Sequence, residues 1–294
     1  MAGPFAFRLA RFSKTDEMKI GIDVSQHQLE WPELRRRVMW ADDAGFDSAW
    51  VFDHFTALYG DPKGPCLEAW TLLAALGAVT SRVRLGALVT GATYRHPSIL
   101  AAEVVTVDHV SEGRVNVGLG AAWHDEEHQR LGIDFPATTE RIQRLEDTVQ
   151  IIKGLLTEDD FDFDGHHFRL RRAFYRPRPV QRPHPPIWIG AIGEKVMLPL
   201  AARYADVWHA FGSTSDLARK SGLLDRLAAT AGRDPAQIGR STNLSISEPW
   251  DQVRRQAEEL RKVGFDHLIA SWPEAGQGRV AEFVENIVPE LVAD

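Results

Sequence analysis

Short apolar segments and longer amphipathic segments alternate along the chain. The short runs are rich in apolar and β-branched residues, as buried strands are, and the longer segments repeat apolar residues at helical spacing. The pattern predicts strands at Lys19–Val24, Ser48–Phe52, Arg84–Val89, Val115–Leu119, Ile187–Ala191, Asp206–Phe211, Thr242–Ile246 and His267–Trp272. It predicts helices at Pro32–Ala44, Glu68–Val79, Ser98–His109, Thr138–Leu155, Glu194–Ala205, Leu217–Ala231, Val253–Val263 and Val280–Val288. Strands that alternate with helices indicate a parallel sheet.

Eight strand–helix pairs fit a closed (β/α)8 TIM barrel better than an open sheet. The alternation breaks between the fourth helix and the fifth strand, where Phe161–Tyr175 has the pattern of a β-hairpin with Asp164-Gly165 as its turn. We therefore predict an α/β barrel with an inserted hairpin at about 161–176. Gly45 and Gly264 lie in similar Gly-Phe-Asp sequences, and each is expected to end a helix in the left-handed conformation.

The barrel is expected to begin at Met18, directly before the first strand. Residues 1–17 lack the apolar core and cleavage site of a signal peptide, so we predict a flexible extension, with Met18 as an alternative start. Residues 18–294 are predicted to form a single domain. No apolar run approaches the ~20 residues that span a bilayer, and no membrane partner is expected.

Composition narrows the classes of partner. Hydrophobic residues make up 44% and charged residues 26%, as in ordinary globular proteins. The formal net charge of −7 disfavours nucleic acid, whose binding needs clustered cations. The single cysteine, Cys66, excludes an intrachain disulfide and favours a reducing, cytoplasmic setting.

The strongest candidate for chemistry follows the second predicted strand. Active sites of such barrels lie at the carboxyl ends of the strands, and Asp53-His54 stands at one of these ends. Imidazole is the side chain best suited to proton transfer near neutral pH. From position alone, a catalytic His54 and a histidine that only caps the barrel mouth through hydrogen bonds are equally good interpretations.

Glycine-containing segments follow two further strands. Gly190-Ala191-Ile192-Gly193 combines a flexible backbone with the start of a helix, which suits a phosphate, although an ordinary strand-to-helix turn is the alternative. Gly120-Ala121-Ala122-Trp123 suits a flat aromatic ligand that lies close to the backbone. The alternative is that Trp123 packs in the core.

The sequence gives less support to a metal site or to a catalytic nucleophile. Asp53, His54, His96, His124 and Asp125 carry suitable ligand atoms, but they lack the tight spacing of metal-binding motifs. The sequence contains no Gly-x-Ser-x-Gly nucleophile motif. We therefore predict no metal site.

Several motifs, which follow one another along the chain, are similar to those of a known family. They lie at Ala44–His54, Arg95–Ala101, Asp108–Arg114, Gly118–Trp123 and Pro186–Ala191, with Gly193-Glu194-Lys195 and Ala205–Trp208 after them. From Met18 onward the chain resembles the luciferase-like monooxygenase superfamily, and within it the branch of coenzyme F420-dependent oxidoreductases.

The resemblance implies a (β/α)8 barrel with a tricyclic cofactor ring across the strand ends. It implies a bulge after the third strand with a cis peptide bond at Ala87-Leu88, and catalytic roles for His54 and Asp53. The cofactor-binding residues it implies are Ala87, Leu88, Thr90, Gly120, Ala121, Ala122, Trp123, Gly190, Ala191, Ile192 and Gly193. Ala121-Ala122 departs from the family's frequent Gly-x-Gly-Trp pattern, which puts close backbone approach there in doubt.

The implied activity is hydride transfer between F420 and a small organic substrate, with His54 stabilising charge or relaying a proton. An FMN-dependent monooxygenase of the same superfamily is the nearest alternative. A cofactor-binding protein without turnover is the alternative from another class. Family members are commonly dimers, so a homodimer is expected.

Overall fold

A computed structural model describes residues 18–292; the predicted extension 1–17 and the last two residues lie outside the described part. Eight parallel strands form a closed ring in the order β3-β2-β1-β11-β10-β9-β8-β5, and β5 pairs back with β3. Their bounds are β1 Lys19–Asp23, β2 Ser48–Val51, β3 Arg84–Ala87, β5 Val115–Gly120, β8 Ile187–Gly190, β9 Val207–His209, β10 Gly239–Leu244 and β11 His267–Ser271. A two-residue strand, β4 Thr90–Gly91, pairs with the end of β5. The predicted barrel is confirmed.

Ten α-helices occur in the described part. Their bounds are α1 Trp31–Ala44, α2 Ala69–Val79, α3 Pro97–Val110, α4 Asp125–Leu131, α5 Thr138–Thr157, α6 Met197–Tyr204, α7 Thr214–Thr230, α8 Trp250–Lys262, α9 Gln277–Asn286 and α10 Val288–Val292. None of these helices is long and apolar enough to cross a bilayer. The short helix α4 was not predicted, and α6 begins three residues later than the predicted Glu194, because a turn at 194–196 precedes it.

The insertion between α5 and β8 is a two-stranded antiparallel sheet of β6 Phe161–Asp164 and β7 Arg169–Ala173. The predicted turn at Asp164-Gly165 is wrong, because Asp164 still pairs with Arg169 and residues 165–168 form the connection. The longer connection is held by α5: Asp147 accepts a hydrogen bond from His167 N at 2.8 Å.

Similar turns end α1 and α8. Gly45 and Gly264 both adopt positive φ, +88° and +89°, which L-residues with a side chain rarely adopt. The aspartate two residues later then fixes a neighbouring strand. Asp47 accepts a hydrogen bond from Ile20 N in β1 at 2.7 Å, and Asp266 accepts one from Arg240 N in β10 at 2.9 Å. The predicted left-handed ends of these helices are confirmed.

Large side chains fill the interior of the barrel. Trp50 and Trp188 are fully buried with ring centroids 4.4 Å apart, and they form an interior cluster with Val207 and Ile269. The other buried apolar residues form a larger layer between the strands and the helices. The barrel is therefore a packed core, and room for a ligand exists only at its ends.

Candidate active site

The segments that follow β2 and β5 meet at the carboxyl-end mouth of the barrel. His54 comes three residues after the end of β2, and its ring centroid lies 5.8 Å from those of both Trp123 and His124. Parallel strands place these sequence-distant segments at the same end. The structure thus brings His54 together with the predicted cofactor-binding segment at 120–123.

His54 contacts a carboxylate that the sequence analysis did not single out. Its Nδ1 lies 2.9 Å from Oε2 of Glu127, in the first turn of α4. The hydroxyl of Tyr94 donates to the same oxygen at 2.6 Å. Burial alone would raise the pKa of Glu127, but hydrogen bonds from His54, Tyr94 and Thr56 N outweigh it and lower the pKa to about 2. Glu127 is therefore ionised at neutral pH.

Asp53 pairs with a different group, the guanidinium of Arg95. Arg95 donates to both of its carboxylate oxygens, at 2.6 and 3.0 Å, and also contacts Glu68 and Glu103. The side chain of Asp53 is fully buried, and a buried bidentate pair of this kind fixes geometry. The predicted catalytic role of Asp53 stays a prediction, since its oxygens are engaged by Arg95.

A bulge of the chain follows β3 and fills the floor of the mouth. The cis peptide bond is Leu88-Val89, not the predicted Ala87-Leu88. Ala87 still pairs with Val51, and Leu88 N still donates to Val51 O at 2.8 Å, so the cis bond follows one residue later than the resemblance implied. The strand itself ends at Ala87, two residues before the predicted Val89.

Glycines on the neighbouring strands make room for this bulge. A Cβ on Gly118 would lie 2.0 Å from the carbonyl oxygen of Ala87, and one on Gly120 would lie 2.6 Å from Val89 Cγ2. A Cβ on Gly190 would lie 3.3 Å from both Val89 methyl groups. Gly120 and Gly190 were predicted to let a ligand approach the backbone, and in the structure Val89 occupies the space beside them.

The other predicted residues around the bulge have different surroundings. Ala87 is buried, Leu88 packs against the interior tryptophan cluster, and the Thr90 hydroxyl accepts a hydrogen bond from Trp70 Nε1 at 3.0 Å. The hydroxyl of Thr90 is thus engaged by α2.

Trp123 is 66% exposed, so the alternative in which it packs in the core is wrong. It follows Ala121 and Ala122, both half-buried, and Ala122 has φ +60°. The ring of Trp123 stacks on that of His124 at 5.0 Å. An exposed tryptophan beside His54 offers a flat apolar surface to a ligand.

The turn after β8 offers hydrogen-bond donors. Ala191 is buried and its N–H donates to His209 O, whereas Ile192 is 47% exposed. Among residues 18–292, no protein acceptor pairs with the main-chain N–H groups of Ile192, Gly193 and Glu194. Consecutive free N–H groups beside a glycine fit a phosphate.

The loop between His54 and α2 is anchored at several points. Leu58 N donates to His27 Nδ1 at 2.9 Å, and Gln28 Nε2 donates to the carbonyls of Tyr59 and Asp61. Burial, and to a smaller extent His54, lowers the pKa of His27 to about 4, so its Nδ1 is free to accept. The loop at 55–65 is therefore held by the β1–α1 connection.

Comparison with known proteins shows the family and the fold of this chain. A family model for luciferase-like monooxygenases matches residues 15–285. The F420-dependent glucose-6-phosphate dehydrogenase of Nakamurella multipartita is 34% identical over 256 residues, covering 85% of this chain and 68% of that protein. The FMNH2-dependent dimethylsulfone monooxygenase of Pseudomonas putida is 28% identical over 244 residues, covering 83% and 64%. A solved F420-dependent secondary alcohol dehydrogenase, in complex with an F420-acetone adduct, shares the fold with a TM-score of 0.84 at 20% identity, over 95% of this chain and 100% of that one.

Proposed function

We propose that this chain, which belongs to the luciferase-like monooxygenase family, transfers hydride between coenzyme F420 and a small organic substrate. The proposal rests on how the two ring nitrogens of His54 are placed. Its Nδ1 is engaged by Glu127, while its Nε2 has no hydrogen-bond partner among residues 18–292 and is not among the fully enclosed polar atoms. A proton-transfer group that is held on one side and accessible on the other suits acid–base chemistry at the mouth.

The residues present fit a tricyclic cofactor with a phosphate. Leu88 and Val89 would lie beneath the ring, Trp123 would flank it, and the free N–H groups at 192–194 would bind the phosphate. When bound, F420 would donate a hydride from its deazaflavin ring in the reduced form, or accept one in the oxidised form. The chain supplies orientation, exclusion of water and the proton position at His54.

F420 is preferred to FMN because the relative with 34% identity and the solved structure with the same fold are both named for F420. An FMN-dependent monooxygenase is the second candidate, supported by the relative from Pseudomonas putida. The two differ in chemistry, since reduced flavin reacts with oxygen and deazaflavin reacts with it poorly.

Titration of the protein with F420 and with FMN, followed by fluorescence quenching, tests the cofactor. We expect F420 to bind more tightly. Tighter binding of FMN would replace the proposal by its second candidate, and binding of neither would overturn both.

The role of His54 is tested by His54→Ala in single-turnover reduction of bound F420 with a panel of alcohols. We expect the rate to fall by about 10²–10⁴-fold while F420 affinity changes little. His166→Ala is the matched control, because His166 lies in the hairpin connection with its side chain 54% exposed. An unchanged rate in His54→Ala would remove His54 from the mechanism.

A further inference from the structure

The carboxylate of Glu127 receives contacts from the segment after β2 and from Tyr94. Oε2 lies 2.6 Å from the Tyr94 hydroxyl and 2.9 Å from His54 Nδ1. Oε1 accepts from Phe55 N at 2.8 Å, Thr56 N at 2.9 Å and Thr56 Oγ1 at 3.0 Å. The side chain of Glu127 is fully buried, so no water competes for these positions.

An ionised carboxylate only accepts hydrogen bonds. Because the pKa of Glu127 is lowered to about 2, every atom that contacts its oxygens must bring a proton. Two main-chain N–H groups and two hydroxyls do so. Nδ1 of His54 must do the same, since an unprotonated Nδ1 would bring its lone pair within 2.9 Å of an anionic oxygen.

The position of the proton on one ring nitrogen decides the role of the other. With the proton on Nδ1, a neutral His54 carries its lone pair on Nε2. Nε2 has no hydrogen-bond partner within residues 18–292 and is not fully enclosed. The accepting nitrogen is therefore the one that a ligand in the mouth can reach.

We propose that Glu127 is the positioning residue that fixes His54 as its Nδ1–H tautomer and so makes Nε2 the proton acceptor for substrate. The second half of this inference rests on the proposed function. For a hydroxyl-bearing substrate, the O–H bond breaks and its proton passes to Nε2. The electron pair of the O–H bond forms the C=O bond, and the C–H hydrogen leaves with its electron pair as a hydride, which an oxidised cofactor held in the mouth would accept. The resulting imidazolium then faces the anionic Glu127, and the reverse reaction returns the proton from Nε2.

A purely structural role for Glu127, as an anchor of the loop at 55–56, is the alternative. Glu127→Gln separates the two roles. Its amide oxygen can keep the bonds from Phe55 N, Thr56 N and Thr56 Oγ1, while its amide NH2 then faces Nδ1 of His54. Because that NH2 group donates, Nδ1 must accept, and the tautomer reverses to Nε2–H.

The tautomer is read by ¹⁵N NMR of histidine-labelled protein without cofactor, at alkaline pH where imidazole is neutral. The His54 signals are assigned by their loss in His54→Ala. In the unsubstituted protein we expect a protonated Nδ1 and an unprotonated Nε2, and in Glu127→Gln the reverse. Glu126→Gln is the matched control, because Glu126 is an exposed neighbour on α4 whose partner within residues 18–292 is Arg130. This variant should leave the tautomer unchanged.

Kinetics complete the test. We expect Glu127→Gln to lower kcat by about 100-fold with KM changed less than about threefold, and Glu126→Gln to change neither. An unprotonated Nδ1 in the unsubstituted protein would overturn the inference without any variant. A tautomer that does not respond to Glu127→Gln would also overturn it. A reversed tautomer with unchanged kcat would instead refute the proposed role of His54 and leave the tautomer assignment standing.

Discussion

Gly118→Ala tests whether the bulge after β3 is packed as tightly as the structure indicates. The added Cβ would lie 2.0 Å from the Ala87 carbonyl oxygen and 3.3 Å from Val89 Cγ1. An ordinary carbon–oxygen contact is about 3.3–3.6 Å, so a main-chain carbonyl inside the barrel must move by more than about 1 Å. Overpacking of a core costs about 1–3 kcal/mol, and rigid backbone places this site at the upper end.

The gain from a less flexible unfolded chain, about 0.4–1 kcal/mol for a glycine-to-alanine change, offsets part of that cost. We expect the free energy of unfolding to fall by about 2–3 kcal/mol. At about 2.1 cal/mol/K of unfolding entropy per residue, a chain of 294 residues should then lose about 3–5 °C in Tm. Thermal unfolding followed by circular dichroism, together with urea denaturation at constant m-value, measures both.

The matched control is Gly278→Ala in the first turn of α9, where an added Cβ meets nothing within 4 Å. Its stability should stay the same or rise by about 0.5 kcal/mol. If Gly118→Ala and Gly278→Ala melted within about 1 °C of each other, the close contact between β5 and the bulge would be refuted.

Other predictions concern the ion cluster and the mouth. Arg95→Met leaves Asp53 buried without its partner, and should lower the free energy of unfolding by about 3–5 kcal/mol in urea denaturation; a loss below about 1 kcal/mol would contradict the buried pair. Burial, only partly opposed by Arg95, raises the pKa of Glu103 to about 7, so the folded state binds a proton that the unfolded state loses above its ordinary pKa of 4.5. The free energy of unfolding therefore falls as pH rises from about 4.5 to 7. In Glu103→Gln this fall should be smaller by about 1 kcal/mol, a figure that allows for the partly exposed side chain. If the variant changed the free energy of unfolding equally at about pH 5 and pH 8, the raised pKa of Glu103 would be refuted. Trp123→Ala should change the free energy of unfolding by less than about 0.5 kcal/mol, since Trp123 is 66% exposed. It should weaken cofactor binding by about three- to tenfold in the fluorescence titration. An unchanged affinity would show that the cofactor ring does not contact Trp123.

Sequence periodicity predicted the barrel because each strand and helix carries its own local signal. Boundaries moved by a few residues where the chain leaves a strand, as at α6, which begins at Met197 after a turn. The helix α4 escaped prediction because Asp125–Leu131 is short and almost wholly polar, without an apolar repeat.

The site was less predictable because its contacts join distant positions. Glu127 contacts His54, 73 positions away, and Tyr94, 33 positions away. The acidic run at 125–127 was the only local signal, and nothing in it distinguishes the buried Glu127 from its exposed neighbours. Gly120 and Gly190 were predicted to let a ligand approach the backbone, and this stays a prediction. The register of the closed barrel, which the sequence does not give, brings Val89 against both glycines.

The size of the side chain at position 89 affects the depth of the barrel mouth. The isopropyl group of Val89 stands against Gly118, Gly120 and Gly190, and forms the floor that a ligand in the mouth would meet. A smaller residue at 89 would deepen the mouth without touching the strands, whereas a side chain at any of the three glycines would push the floor upward. The depth available to a ligand is thus set by Val89 and the glycines around it, which are separate from the histidine and the carboxylate that hold the proton.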